Sequence, residues 1–106
     1  MSAKEVSLFA YLTVKEGSEE LFKQRLANLV QRVRSEEEGC LRYELYRRSD
    51  NPREYVVVEK YCDQQALDLH NAGLVQKFGE PAPGEGLPRG LAELLEGADL
   101  VFLEEA

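Results

Sequence analysis

Residues 40–62 hold two alternating runs, CLRYELYRR and EYVVVEKYC, on either side of SDNPR. Asn, Asp and Pro favour a chain reversal, and the flanking β-branched and aromatic residues favour extended backbone. The stretch predicts a β-hairpin, and no other feature constrains the fold as tightly, because pairing fixes which side chains share a face. A loop centred on Asn51 pairs Leu41 with Tyr61, Tyr43 with Glu59, and Leu45 with Val57, all on one face. Arg42, Glu44, Tyr46, Val56, Val58 and Lys60 take the other. The same register brings Cys40 opposite Cys62, where a disulfide is conceivable and two thiols are expected in a reducing compartment.

The rest of the chain changes period in step with this hairpin. In KEVSLFAYLTV (4–14), Val6, Leu8, Ala10, Leu12 and Val14 face one way, and Ser7, Phe9, Tyr11 and Thr13 the other, which is a strand. Phe22, Leu26, Leu29, Val30 and Val33 then recur at helical spacing, with Ser18 as N-cap and Gly39 as the stop. Beyond the hairpin, Asp63 caps a helix over 64–72 with Ala66, Leu67 and His70 on one side. Gly73 interrupts it, and LVQKFG adds a short turn with Leu74, Val75 and Phe78. GEPAPGEGLPRG (79–90) is a Gly/Pro loop, long for so small a domain and suited to covering a site. Leu91 to Leu95 add a helical turn, and DLVFLEEA ends the chain as a strand.

The order β-α-β-β-α-β is the ferredoxin-like α+β arrangement with a four-stranded antiparallel sheet. Residues 1–106 read as one domain, with no internal repeat and no linker. Helices cover one face of such a sheet. The other face here carries Phe9, Tyr11, Tyr46, Val56 and Val58, so a homodimer joined through its sheet faces is expected.

Composition closes off several function classes. The net charge of −7 is a poor match to a polyanion, so nucleic acid is not an expected partner. No apolar run approaches the roughly 20 residues of a membrane span, and MSAKEVSLF has no features of a secretory leader. A cytoplasmic location is the expectation. One histidine and two distant cysteines are thin material for zinc, and neither GxGxxG nor a P-loop is present. No metal and no cofactor are expected.

The run GCLRYELYRRSDNPREYVVVEKYCDQQALDLH (39–70) resembles the signature of the antibiotic biosynthesis monooxygenase domain, within the dimeric α+β barrel superfamily. Its Gly-Cys-Leu-Arg-Tyr-Glu-Leu opening, the aspartate-containing turn, Glu-x-aromatic at the strand end and Asp-x-x-Ala-Leu-x-x-His on the helix carry the likeness. Residues 6–17 match the first strand and glycine turn more loosely. The resemblance implies a pocket between sheet and helices that several members use on electron-rich aromatic, quinol or enol substrates, without flavin or metal. Three departures bear on this. Tyr61 stands where members often have tryptophan, and Leu74 and Val75 occupy the neighbourhood of a second histidine. The first strand lacks the asparagine of haem-degrading relatives.

Dioxygen reacts slowly with closed-shell organic molecules, whereas a deprotonated phenol or enol can pass it one electron. Such a pocket needs a proton acceptor, and His70 suits that task near neutral pH. Tyr61 would orient substrate oxygens, and Glu59 would fix the tautomer of His70. Tyr43, Tyr11, Leu67 and Phe78 are the expected substrate-binding walls. Each has a plainer reading: His70 as a core-edge histidine, Tyr61 as strand-end packing, Glu59 as a partner for Tyr43 or Arg42. Glu36 to Glu38 read as a solvated helix end. Two other classes stay open: an isomerase or decarboxylase of a small oxo-acid or enol, and a non-catalytic ligand-binding barrel.

Overall fold

The alternation in the first strand sorts its side chains as expected. In the computed structural model, which describes residues 4–106, strand β1 (Val6–Val14) buries Leu8, Ala10, Leu12 and Val14 on one face. The first three residues of the expected 1–106 unit lie outside the described residues. Helix α1 (Glu19–Glu36) buries Phe22, Leu26, Leu29 and Val33 against that face. Ser18 holds the N-cap position without a side-chain capping bond; Glu19 instead accepts from the Gly17 N–H at 2.9 Å. Gly17 sits at φ +87°, a conformation that costs glycine little.

Strands β2 (Cys40–Arg47) and β3 (Glu54–Tyr61) form the hairpin, with Tyr43 opposite Glu59 and Leu45 opposite Val57. The expected pairing of Leu41 with Tyr61 fails. The register shifts between Cys40 and Arg42, so Cys40 opposes Tyr61 and Leu41 is 52% exposed. A bulge of this kind adds one residue on one strand and turns its side chain off the expected face. Cys40 and Cys62 are free thiols.

Asp63 starts helix α2 (Gln64–Phe78), its carboxylate accepting from the Ala66 N–H at 2.8 Å. The helix does not stop at 72. Leu67, His70 and Leu74 form one buried stripe, and packing along it carries the helix through Gly73. The glycine leaves room for α1: a Cβ there would lie 3.3 Å from Arg32 Nη2. After the loop comes the short helix α3 (Arg89–Ala92), then strand β4 (Leu95–Leu103), which begins earlier than DLVFLEEA predicts.

The sheet order is β2-β3-β1-β4, antiparallel throughout, which is the ferredoxin-like topology. The core lies between the sheet and the helices. On the opposite face Tyr11 and Tyr46 stand about half exposed. Among the described residues no helix is long and apolar enough to cross a membrane.

Candidate functional site

Between the sheet and helices lies a hollow of about 80 Å³. Leu8, Ala10 and Leu12 of β1, Phe22, Leu26 and Leu29 of α1, and Leu67 and Leu74 of α2 make most of its wall. Leu87, Leu91, Leu95, Leu100 and Phe102 line it as well. Leu100 and Phe102 are 41% and 60% exposed, so this β4 side is the mouth. The polar side chains on the lining are Tyr43, Glu59, His70 and Asn71, and no lysine or arginine is among them.

These polar groups converge because of their places in the elements. Glu59 and Tyr61 are two residues apart on β3 and therefore share its inward face. Tyr43 lies opposite Glu59 on β2, and His70 comes down from the buried stripe of α2. The Tyr61 hydroxyl donates to Glu59 Oε1 at 2.6 Å. His70 Nδ1 lies 2.9 and 3.2 Å from the two carboxylate oxygens of Glu37, the residue that closes α1. His70 Nε2 lies 3.9 Å from Glu59 Oε1, too far for a hydrogen bond. One oxygen atom placed between them could sit about 2.8 Å from each. The imidazole is also flanked by the rings of Tyr43 and Tyr61, with centroids at 5.1 and 5.4 Å.

Burial sets the proton affinities here. It pushes Glu59 up to about 7, against the hydrogen bond from Tyr61 and with help from the Glu37 charge. Burial lowers His70, and Glu37 opposes that fall both by its charge and by its hydrogen bond. Tyr43 and Tyr61 are both raised by burial and by the charge of Glu59, so each stays a phenol. Cys40, beside the cluster, is pushed up to about 11, mainly by burial.

His70, Glu59, Tyr43 and Leu67 all reach the lining. Tyr61 does not line the hollow; it is fully buried and meets it through Glu59. Tyr11, expected as a wall, is on the opposite sheet face and 47% exposed. Phe78 packs at the core margin, against Gly90, and is also off the lining. The tautomer of His70 is not held by Glu59: the partner is Glu37, which the sequence places in a solvated helix end. Glu37 ends α1 and, unlike Glu36, which bonds Arg32, reaches His70 on α2; nothing in the helical periodicity signals that. Leu87, Leu100 and Phe102 are also additions, supplied by the Gly/Pro loop and β4. Among the described residues, no group of three or more His, Cys, Asp or Glu side chains is placed to hold a metal ion.

Comparison with known proteins agrees with the fold. Residues 6–77 match the family described as antibiotic biosynthesis monooxygenase. The chain is 35% identical over 66 residues to "Putative monooxygenase YcnE" of Bacillus subtilis (strain 168), an alignment covering 62% of this chain and 68% of that protein. The crystal structure of PA3566 from Pseudomonas aeruginosa superposes with a TM-score of 0.81 at 24% identity, covering 100% of this chain and 98% of that one. That of protein SO0527 from Shewanella oneidensis gives a TM-score of 0.77 at 31% identity, covering 94% and 89%.

Proposed function

Because the chain belongs to the antibiotic biosynthesis monooxygenase family, we propose that it is a cofactor-independent monooxygenase of a small, uncharged phenol, quinol or enol. The observation that carries this reading is the hollow's lining: a histidine and a carboxyl face one gap in a largely apolar chamber that holds no lysine or arginine. A substrate hydroxyl in that gap loses its proton to His70 Nε2, and the electron pair stays on the substrate oxygen. Glu59, protonated below about 7, donates to that same oxygen. The electron-rich anion passes one electron to dioxygen, the two radicals join at carbon, and the peroxide O–O bond breaks. One oxygen atom remains on the substrate as a carbonyl. The other leaves as water, taking up the proton held by His70 and the one displaced from carbon. Tyr61 acts on this step through Glu59.

The lining weighs against an isomerase or decarboxylase of a small oxo-acid, since no lysine or arginine there would compensate a buried substrate carboxylate. One observation favours the non-catalytic barrel. At about 80 Å³ the hollow is smaller than the roughly 150 Å³ cavity that accepts benzene. An aromatic substrate would therefore extend into the mouth at Leu100 and Phe102. The apolar outer face around Phe9, Tyr11 and Tyr46 supports a homodimer joined through its sheets, and the absence of a membrane-spanning helix among the described residues is consistent with a cytoplasmic enzyme.

Oxygen uptake with a panel of quinols and hydroxynaphthoquinones tests the reading. Turnover that falls about 100-fold or more in His70→Ala supports it. No uptake with any of them, or a folded His70→Ala variant that works as well as the parent, rejects it.

A further inference from the structure

His70 is the only histidine in the chain, and both of its ring nitrogens have an acidic neighbour. The two neighbours are not equivalent. Glu37 is within hydrogen-bond distance of Nδ1 through both oxygens, and its side chain is 22% exposed, so water reaches its far side. It also lines the surface groove between α1 and α2, alongside Arg32, Glu36 and Gly73. Glu59 stands off Nε2 by 3.9 Å, is nearly buried, and is already engaged by the Tyr61 hydroxyl.

From this geometry we infer that Glu37 is a positioning residue. It holds His70 in the Nδ1–H tautomer and so leaves the Nε2 lone pair facing the hollow. A carboxylate can only accept, so the nitrogen it touches must carry the hydrogen. The opposite tautomer would set two acceptors, Nδ1 and Glu37, 2.9 Å apart, and would aim an N–H donor into the gap where a substrate hydroxyl has to lose its proton. A hydrogen bond to a charged partner favours the first arrangement by more than about a factor of ten. When Nε2 takes the proton, the imidazolium that results is paired with Glu37 across the ring. The step is a proton transfer alone: the substrate O–H bond breaks, the Nε2–H bond forms, and no oxidant enters.

The groups that face the ring act together on its titration. Glu37 and Arg32 lie on the α1 side, Glu59 and Tyr61 on β3, and Tyr43 on β2. Glu37 favours the charged ring; burial and Arg32 oppose it. Loss of the Glu37 charge therefore makes His70 titrate at lower pH.

This inference rests on the hollow being a proton-transfer site, but its test needs no substrate. In protein labelled with 15N-histidine, long-range proton–nitrogen spectra give one imidazole pattern. Above its titration the parent is expected to be more than about nine-tenths Nδ1–H. Glu37→Ala should move the population to predominantly Nε2–H. Glu37→Gln, which keeps an acceptor oxygen, should retain the Nδ1–H form and titrate at lower pH than the parent. A parent found in the Nε2–H form, or a Glu37→Ala spectrum like the parent's, overturns the proposal. Failure of every quinol to turn over would remove the oxygenase reading and leave a locked tautomer standing.

Discussion

The Tyr61 hydroxyl and Glu59 Oε1 lie 2.6 Å apart, one pleat repeat from each other on β3, and both side chains are shut away from solvent. The tyrosine is the donor that makes a buried carboxyl tolerable, and it lowers the proton affinity that burial raises. In Tyr61→Phe, Glu59 should hold its proton to higher pH than in the parent, followed by carbon NMR of the labelled carboxyl. The fold should lose about 1–3 kcal/mol, the usual cost of leaving a buried acceptor without its donor. An unchanged Glu59 titration would detach the two residues.

Glu59 also gives stability a definite pH slope. Its folded value of about 7 stands above the ordinary 4.5, so between these limits the folded protein keeps a proton that the unfolded chain has lost. By linkage, its contribution is fully present below about 4.5 and is lost as pH rises through about 7. The total is about 3 kcal/mol. His70, lowered on folding, works the other way just below its ordinary value, so there the two slopes oppose each other. Glu59→Gln, which keeps an acceptor for Tyr61, should match or fall below the parent in urea melts at pH 4.5 and exceed it at pH 8. Parallel curves across that range would contradict this.

Much of the site was legible because period-two strands and a hairpin register decide faces without any tertiary knowledge. Val57, Glu59 and Tyr61 point inward for the same reason that Val56 and Lys60 do not. Leu41 departs from the expected face because a bulge breaks that parity locally. The break expected at Gly73 rested on helix propensity, a small penalty next to the burial of Leu67, His70 and Leu74 on one stripe. Glu37 is illegible in the sequence for a different reason. A glutamate among glutamates at a helix end carries no pattern, and only the approach of α2 to the end of α1 distinguishes it from Glu36 and Glu38.

That approach depends on Gly39. A Cβ at this position would fall 2.6 Å from the Ala66 Cβ on α2, an atom that cannot move without its backbone. Gly39→Ala should cost about 1–3 kcal/mol by forcing the start of α2 away. The same displacement should loosen the Glu37–His70 contact, visible as a mixed imidazole tautomer in the spectra described above. The paired change Gly39→Ala with Ala66→Gly relieves the clash and should restore most of both. A single Gly39→Ala variant as stable as the parent would mean that the two segments separate freely.

The outer sheet face supplies the last prediction. Phe9, Tyr11, Tyr46, Val56 and Val58 form an apolar surface that no helix among the described residues covers, since α1, α2 and α3 lie on the other side. A twofold partner seated there would bury Tyr11 and Tyr46, each now about half exposed. In Tyr11→Lys with Tyr46→Lys, two charges per subunit enter that contact, and the dissociation constant should rise about 100-fold or more. Light scattering should show the parent as a dimer at micromolar concentration and the double variant as a monomer, with circular dichroism unchanged because neither side chain reaches the core. A parent that is monomeric at all concentrations would leave the sheet face wet and remove the dimer from the proposal.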